Sequence, residues 1–178
     1  MSKGNNAKIT VVRGDITEQP DCEAVVNSAN HRLLAGAGVC GAIYRAAGPK
    51  LEPCSVQLAP LALGSAVVTP GFNLPNRLII HTLGPKYLID PDPSGNLASA
   101  MRNTLLLADE NKVTRVAVPA ISMGIFAYPP MEAIPILVRT AHEMVKQLQY
   151  VKEIRFVVLD DDLFGRLSEE IKNSAHLD

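Results

Sequence analysis

Short β-branched runs alternate with longer stretches whose apolar residues recur every third or fourth position, and that alternation restricts the chain to very few folds. AKITVVRG (7–14), CEAVVNSA (22–29), GSAVVTPG (64–71), NRLIIHTLGP (76–85), TRVAVPAIS (114–122) and EIRFVVLDDD (153–162) all read as strands. The first two are so continuously apolar that they suit strands buried on both faces. Between them, 39–48 reads as a short helix closed by Gly48 and Pro49. Leu97, Ala100, Met101, Leu105 and Ala108 make an amphipathic helix of 95–111. A second stripe, Ile134, Leu137, Ala141, Met144, Val145 and Leu148, runs through 130–149, and 161–173 reads as a closing helix. Pro53 and Pro60 interrupt 49–63, so one or two irregular turns are expected there. Strands alternating with helices imply α/β layering on a mostly parallel or mixed sheet. At 178 residues, with no repeat or linker, the chain is expected to be one domain behind a loose tail of residues 1–7.

Gly36, Gly38 and Gly41 are spaced as G-x-G-x-x-G where a loop enters the first helix. Such a junction lets backbone N–H groups approach a phosphate, and the helix N-terminus favours its charge. A dinucleotide turn of Rossmann type needs the glycines directly after a strand and an acidic residue ~20 positions on. Here residues 30–36 intervene, and 56–66 (VQLAPLALGSA) carries no carboxylate, so a nicotinamide oxidoreductase is disfavoured. No Gly-Lys-Ser/Thr follows, which excludes a P-loop. A tight turn that merely lets the helix pack closely is the plain alternative. A second glycine loop, PAISMGIF (119–126), also follows a strand, and ligands in open α/β sheets gather at those carboxyl ends.

A net charge of −1 without charge blocks argues against a duplex-DNA binder and lends nothing to RNA binding. With four Tyr, four Phe and no Trp, a broad base-stacking platform is not expected. Cys22, Cys40 and Cys54 form neither a C-x-x-C pair nor an even set, which fits a reducing cytoplasm. No metal-ligand spacing is apparent. The N-terminus has no apolar signal region and no run approaches ~20 apolar residues, so neither secretion nor membrane insertion is expected.

GDIT (14–17), VVNSAN (25–30), GAGVCGAIYRAAGP (36–49), HTLGP (81–85) and PAISMGIFAYP (119–129) together resemble the macrodomain family, in order and spacing, from about residue 8 onward. The resemblance implies a three-layer α/β/α macrodomain over 8–178 with a mixed, mostly parallel six- or seven-stranded sheet. It implies a cleft for ADP-ribose, with no cofactor or metal, and a chain expected to be monomeric. Many members hydrolyse ADP-ribosyl esters on protein carboxylates or O-acetyl-ADP-ribose, while others only bind.

By this resemblance Asp15 accepts from the adenine amino group, with Ile16 beside it. The plain alternative for Asp15 is a capping or turn aspartate. Asn30 holds the distal ribose and is a candidate catalytic residue; its alternative is a turn asparagine. Asn27 is assigned to supporting the loop. Gly36, Gly38, Val39 and Gly41 supply backbone contacts on one side, and Ser122, Met123, Gly124, Ile125 and Phe126 on the other. Phe126 packs on the distal ribose, or is an ordinary core aromatic. Gly41 and Cys40 complete the candidate catalytic set, Cys40 because many hydrolytic members carry aspartate there. A thiol near its usual pKa of ~8.5 is a poor general base, so a small residue packed under the helix is the favoured reading. A nucleophilic Cys40 at a helix N-terminus would need a histidine partner, and the sequence shows none. Leu159 stands where relatives often place an aromatic near adenine, which costs stacking of about 0.5–1.5 kcal/mol. His81, at a strand end, reads as buried structure; His31, beside Asn30, is left open. The leading expectation is ADP-ribose binding with ester hydrolysis by substrate-assisted water attack. The alternative is a non-catalytic reader of ADP-ribosylated protein.

Overall fold

The computed structural model describes residues 5–176. Six strands, β1 (Lys8–Arg13), β2 (Ala24–Ser28), β3 (Ala66–Pro70), β4 (Leu78–Thr82), β5 (Arg115–Val118) and β6 (Glu153–Val158), form one sheet in the order β1-β6-β5-β2-β4-β3. All neighbours are parallel except the β3–β4 pair. The sheet is therefore mixed and six-stranded, with helices α1 (Gly38–Ala47), α2 (Leu51–Ser55), α3 (Pro93–Glu110), α4 (Pro130–Val145) and α5 (Asp161–Ser174) around it.

Successive strand residues point to opposite faces, and β2 shows the result. Ala24 and Val26 meet the core formed with Leu97, Met101 and Leu137 of α3 and α4. Val25 meets the core on the other side with Ile43 and Tyr44 of α1. Both sides are covered, which gives the three layers and explains why β2 is apolar without alternation. Burial of each of the larger of these side chains, Val, Leu, Ile or Met, contributes about 1.5–3 kcal/mol.

Several boundaries differ from the sequence expectation. β1 is only half-buried, not buried on both faces, because it is an edge strand paired with β6 alone. The region 49–63 contains a short helix, α2, continued by a 3₁₀ turn at Val56–Leu58. Pro53 is its third residue, where a missing N–H costs no intrahelical bond. β5 stops at Val118 because Pro119 cannot donate to a ladder, so 119–122 turns instead of extending the strand. α3 begins at Pro93, after an Asp92 cap that accepts from Gly95 N–H at 3.2 Å. Of the expected tail, residues 1–4 lie outside the described residues. Asn5 is held: its Nδ2 donates to Val151 O at 2.7 Å and its Oδ1 accepts from Lys152 Nζ at 2.8 Å.

The connections place the site. From β2 the chain passes through α1 and α2 to β3 and β4 on one flank. From β5 it passes through α4 to β6 on the other flank. A crevice must open where neighbouring strands send their chains apart, here between the carboxyl ends of β2 and β5. No helix among the described residues is long and apolar enough to cross a membrane.

Candidate functional site

A cleft of about 180 Å³ opens at that switch point. Asn30, Gly36, Gly38, Val39 and Cys40 line one side, and Ser122, Gly124, Ile125 and Phe126 the other. Ser28, Ala29, Ala37 and Ala120 complete the lining; being small and motif-neighbouring, they carried no separate sequence signal. No carboxylate, imidazole, ammonium or guanidinium side chain is among these residues.

The first loop is braced from below. Leu33 adopts a left-handed conformation (φ 53°), and its carbonyl lies 2.9 Å from Tyr44 Oη and 2.7 Å from Ser55 Oγ. Ala35 N–H donates to Glu52 Oε2 at 2.9 Å. The Asn30 amide closes the turn, accepting from Leu34 N–H at 3.2 Å and donating to Leu34 O at 2.8 Å. Its second N–H and second lone pair remain for a ligand. Helix α1 then starts behind Ala37, whose methyl cannot cap it, and among the described residues no acceptor meets the N–H of Gly38, Val39 or Cys40, which line the cleft.

Gly41 has a different task from the one expected. It does not line the cleft, and its N–H donates to Ala37 O at 3.3 Å inside the helix. A Cβ there would drive into the Gly36 carbonyl oxygen, so Gly41 is what lets α1 sit against the loop.

The second loop offers the same chemistry. Ser122 has φ 65°, its carbonyl accepts from Tyr128 N–H at 2.9 Å, and Ala127 N–H donates to Gly124 O at 3.0 Å. Among the described residues no acceptor meets the N–H of Gly124, Ile125 or Phe126. Ser122 Oγ is buried without a partner among the described residues and packs over Gly84, where a Cβ would collide with it. HTLGP thus matters for Gly84 as a seat for this turn. Met123 points away into the core, and its N–H is taken by Ala120 O at 3.2 Å. Phe126 is both core and wall: it packs with Ala29, Leu33, Leu61 and Leu83 while lining the cleft, with Lys86 Nζ 5.7 Å from its ring centre.

Cys40 is buried under the helix, its Sγ 3.5 Å from Leu34 O and 3.7 Å from Asn27 Nδ2. Burial pushes its thiol pKa up, outweighing the Asn27 and Gly36 donors, so the group is neutral. Asn27 Nδ2 also meets His81 Nδ1 at 3.1 Å, and His81 Nε2 meets Thr69 Oγ1 at 2.9 Å. An amide nitrogen only donates, so Nδ1 accepts and the proton sits on Nε2. Burial lowers the His81 pKa to about 4, and the ring is structural. Its folded pKa lies below the unfolded value of about 6.5, so the unfolded chain alone gains a proton as pH falls through that interval. Urea unfolding is therefore expected to show about 2 kcal/mol of stability lost through His81 between pH 7 and pH 5, a slope that His81→Gln should flatten.

Asp15, Ile16 and Leu159 are not brought into the cleft; they follow β1 and β6 farther along the same sheet edge. Asp15 Oδ1 accepts from Thr17 N–H and Thr17 Oγ1 at 2.8 and 2.7 Å, closing a turn after β1. Ile16 is buried with Val25 and Ile43, and Leu159 is exposed. His31 is exposed and outside the lining.

A family model described as Macro domain matches residues 26–137. The chain belongs to the macrodomain family. It is 38% identical over 169 residues to a Salmonella newport protein named O-acetyl-ADP-ribose deacetylase, covering 90% of this macrodomain and 94% of that protein. The Oceanobacillus iheyensis macrodomain solved with ADP is 32% identical and superposes with a TM-score of 0.92 over 99% of this chain and 96% of that one. The Trypanosoma brucei macrodomain solved with ADP-ribose is 28% identical, with a TM-score of 0.84 over 90% and 68% of the two chains. The strands, the switch-point cleft and both glycine loops found here are thus a macrodomain architecture.

Proposed function

We infer that this macrodomain binds ADP-ribose and hydrolyses ADP-ribosyl esters, either O-acetyl-ADP-ribose or mono-ADP-ribose on protein carboxylates. The observation that carries the reading is the lining itself: a cleft with no charged side chain, walled by open N–H groups and one unpartnered buried hydroxyl. Such a site suits an uncompensated diphosphate, met by the α1 N-terminus on one side and residues 124–126 on the other. The distal ribose then lies at Asn30 and Phe126, and the adenosine runs along the sheet edge toward Asp15, Ile16 and Leu159. The names of the Salmonella and Trypanosoma relatives agree with this class of ligand.

No side chain of the lining is a competent base, since the Cys40 thiol stays protonated. The proton acceptor is then the substrate's own phosphate oxygen. That oxygen takes a proton from water, the water oxygen attacks the ester or anomeric carbon, and the proton passes to the departing oxygen. Asn30 holds the ribose in line, and the N–H groups stabilise the charge that moves.

Cys40→Asp tests this. The wild type is expected to release ADP-ribose from a glutamate-modified protein, and the variant to differ from it by less than about tenfold, since a required general base is worth 10²–10⁴. Release by the variant alone would favour the second reading, a binding module, to which the neutral thiol at this position also points.

A further inference from the structure

Exposed apolar side chains are scattered singly on most surfaces, but here the most exposed of them gather at one end. Among the described residues Leu88, Ile89, Ile125, Met131 and Leu159 are each at least 74% exposed, while the other exposed large hydrophobics reach at most 42%. All five stand in segments that leave carboxyl ends of strands: Leu88 and Ile89 after β4, Ile125 and Met131 after β5, Leu159 after β6. Four of them form a group, because the 86–90 turn is fastened to the 125–132 segment. Tyr87 N–H donates to Phe126 O at 3.0 Å, and the Tyr87 ring lies 4.8 Å from that of Tyr128. Ile125 belongs to both surfaces, lining the cleft and standing out from it, so the patch is continuous with the cleft wall.

Sheet order decides which end of a ligand this patch meets. The cleft lies between β5 and β2; β6 and β1 lie on one side of it and β4 on the other. With adenosine extending toward β1 and β6, the distal ribose and whatever is esterified to it emerge on the β4 side, where Leu88 and Ile89 stand.

We propose that Leu88, Ile89, Ile125 and Met131 form a docking surface for the acceptor polypeptide of an ADP-ribosylated protein, gripping apolar residues that flank the modified carboxylate. The proposal rests on the ADP-ribose reading above and selects the protein-linked ester over the acetyl ester as the substrate this rim serves. A small acetyl group would leave all four side chains in water. A polypeptide leaving the distal ribose must cross them. Ile125 itself lines the cleft, so the remaining positions are the ones to vary.

The test compares binding of free ADP-ribose with binding of ADP-ribose joined to an apolar-flanked peptide through a hydrolysis-resistant amide. The wild type is expected to hold the conjugate about tenfold more tightly than free ADP-ribose. The double variant L88D/I89D, altered only at exposed positions, is expected to bind both equally, at the wild-type affinity for free ADP-ribose. Equal wild-type affinity for the two ligands would overturn the proposal while leaving the ADP-ribose reading intact. So would equal weakening of both ligands in the variant. Wild-type self-association abolished by L88D/I89D would assign the patch to a second copy of this chain and also overturn it. Binding of neither ligand by the wild type would overturn the ADP-ribose reading itself, and this proposal with it.

Discussion

Asn30→Ala is expected to slow hydrolysis of O-acetyl-ADP-ribose about 100-fold at saturating substrate, while ADP-ribose affinity falls only several-fold. The amide acts twice: both of its atoms clamp Leu34, and both retain one unused bonding site toward the cleft. Alanine removes the clamp and the sugar contact together. A ribose still bound by its diphosphate then swings out of line, and misplacement by about 1 Å is enough for a loss of that size. Asn30→Asp does not spare either function, since the carboxylate still accepts from Leu34 N–H but faces Leu34 O with an acceptor instead of a donor. It should therefore impair both the turn and turnover. The measurement is kcat against Kd from calorimetry with ADP-ribose. Unchanged kcat in Asn30→Ala would reduce Asn30 to the turn residue its local sequence suggests.

Gly41→Ala is expected to cost about 2 kcal/mol of stability and to weaken ADP-ribose binding more than tenfold. Helix propensity alone predicts the opposite sign, because alanine is better than glycine by about 1 kcal/mol in a helix interior. The added Cβ meets the Gly36 carbonyl, which is backbone and cannot rotate away. Either α1 or the loop must move, and both present donors to the cleft. Gly165, inside α5, is the matched control: nothing lies within 4 Å of a Cβ there, so Gly165→Ala should be neutral or stabilising. Urea unfolding of the two variants reads the difference directly, and a stable Gly41→Ala protein with normal affinity would disprove the close contact.

Gly41 shows where sequence reasoning stops. Its motif marked it as a glycine that matters, but a ligand contact and a packing contact demand the same residue. The difference is the position of the Gly36 carbonyl. Likewise Tyr44, Ser55 and Glu52 brace the loop across separations of 11 to 22 and 17 residues; Ser55 and Glu52 leave no periodic or motif trace, and the motif that holds Tyr44 does not show this role. Asp15 read either as a turn residue or as a ligand contact; its Oδ1 makes the turn, and the same residue type would serve either use.

Legible along the chain were most of the elements and their order (α2, expected as irregular turns, is the exception) and the two glycine loops after β2 and β5. Each of these follows from short-range physics: side-chain periodicity, β-branching, and the φ freedom of glycine. That β1 is an edge, that β2 and β5 are neighbours with the cleft between them, and that 86–90 lies against 125–132 follows from long-range packing alone. The same holds for the charge states of Cys40 and His81 and for the orphaned Ser122 hydroxyl. These depend on which groups are buried together, and desolvation and long-range hydrogen bonds have no signature in the order of residues along a chain.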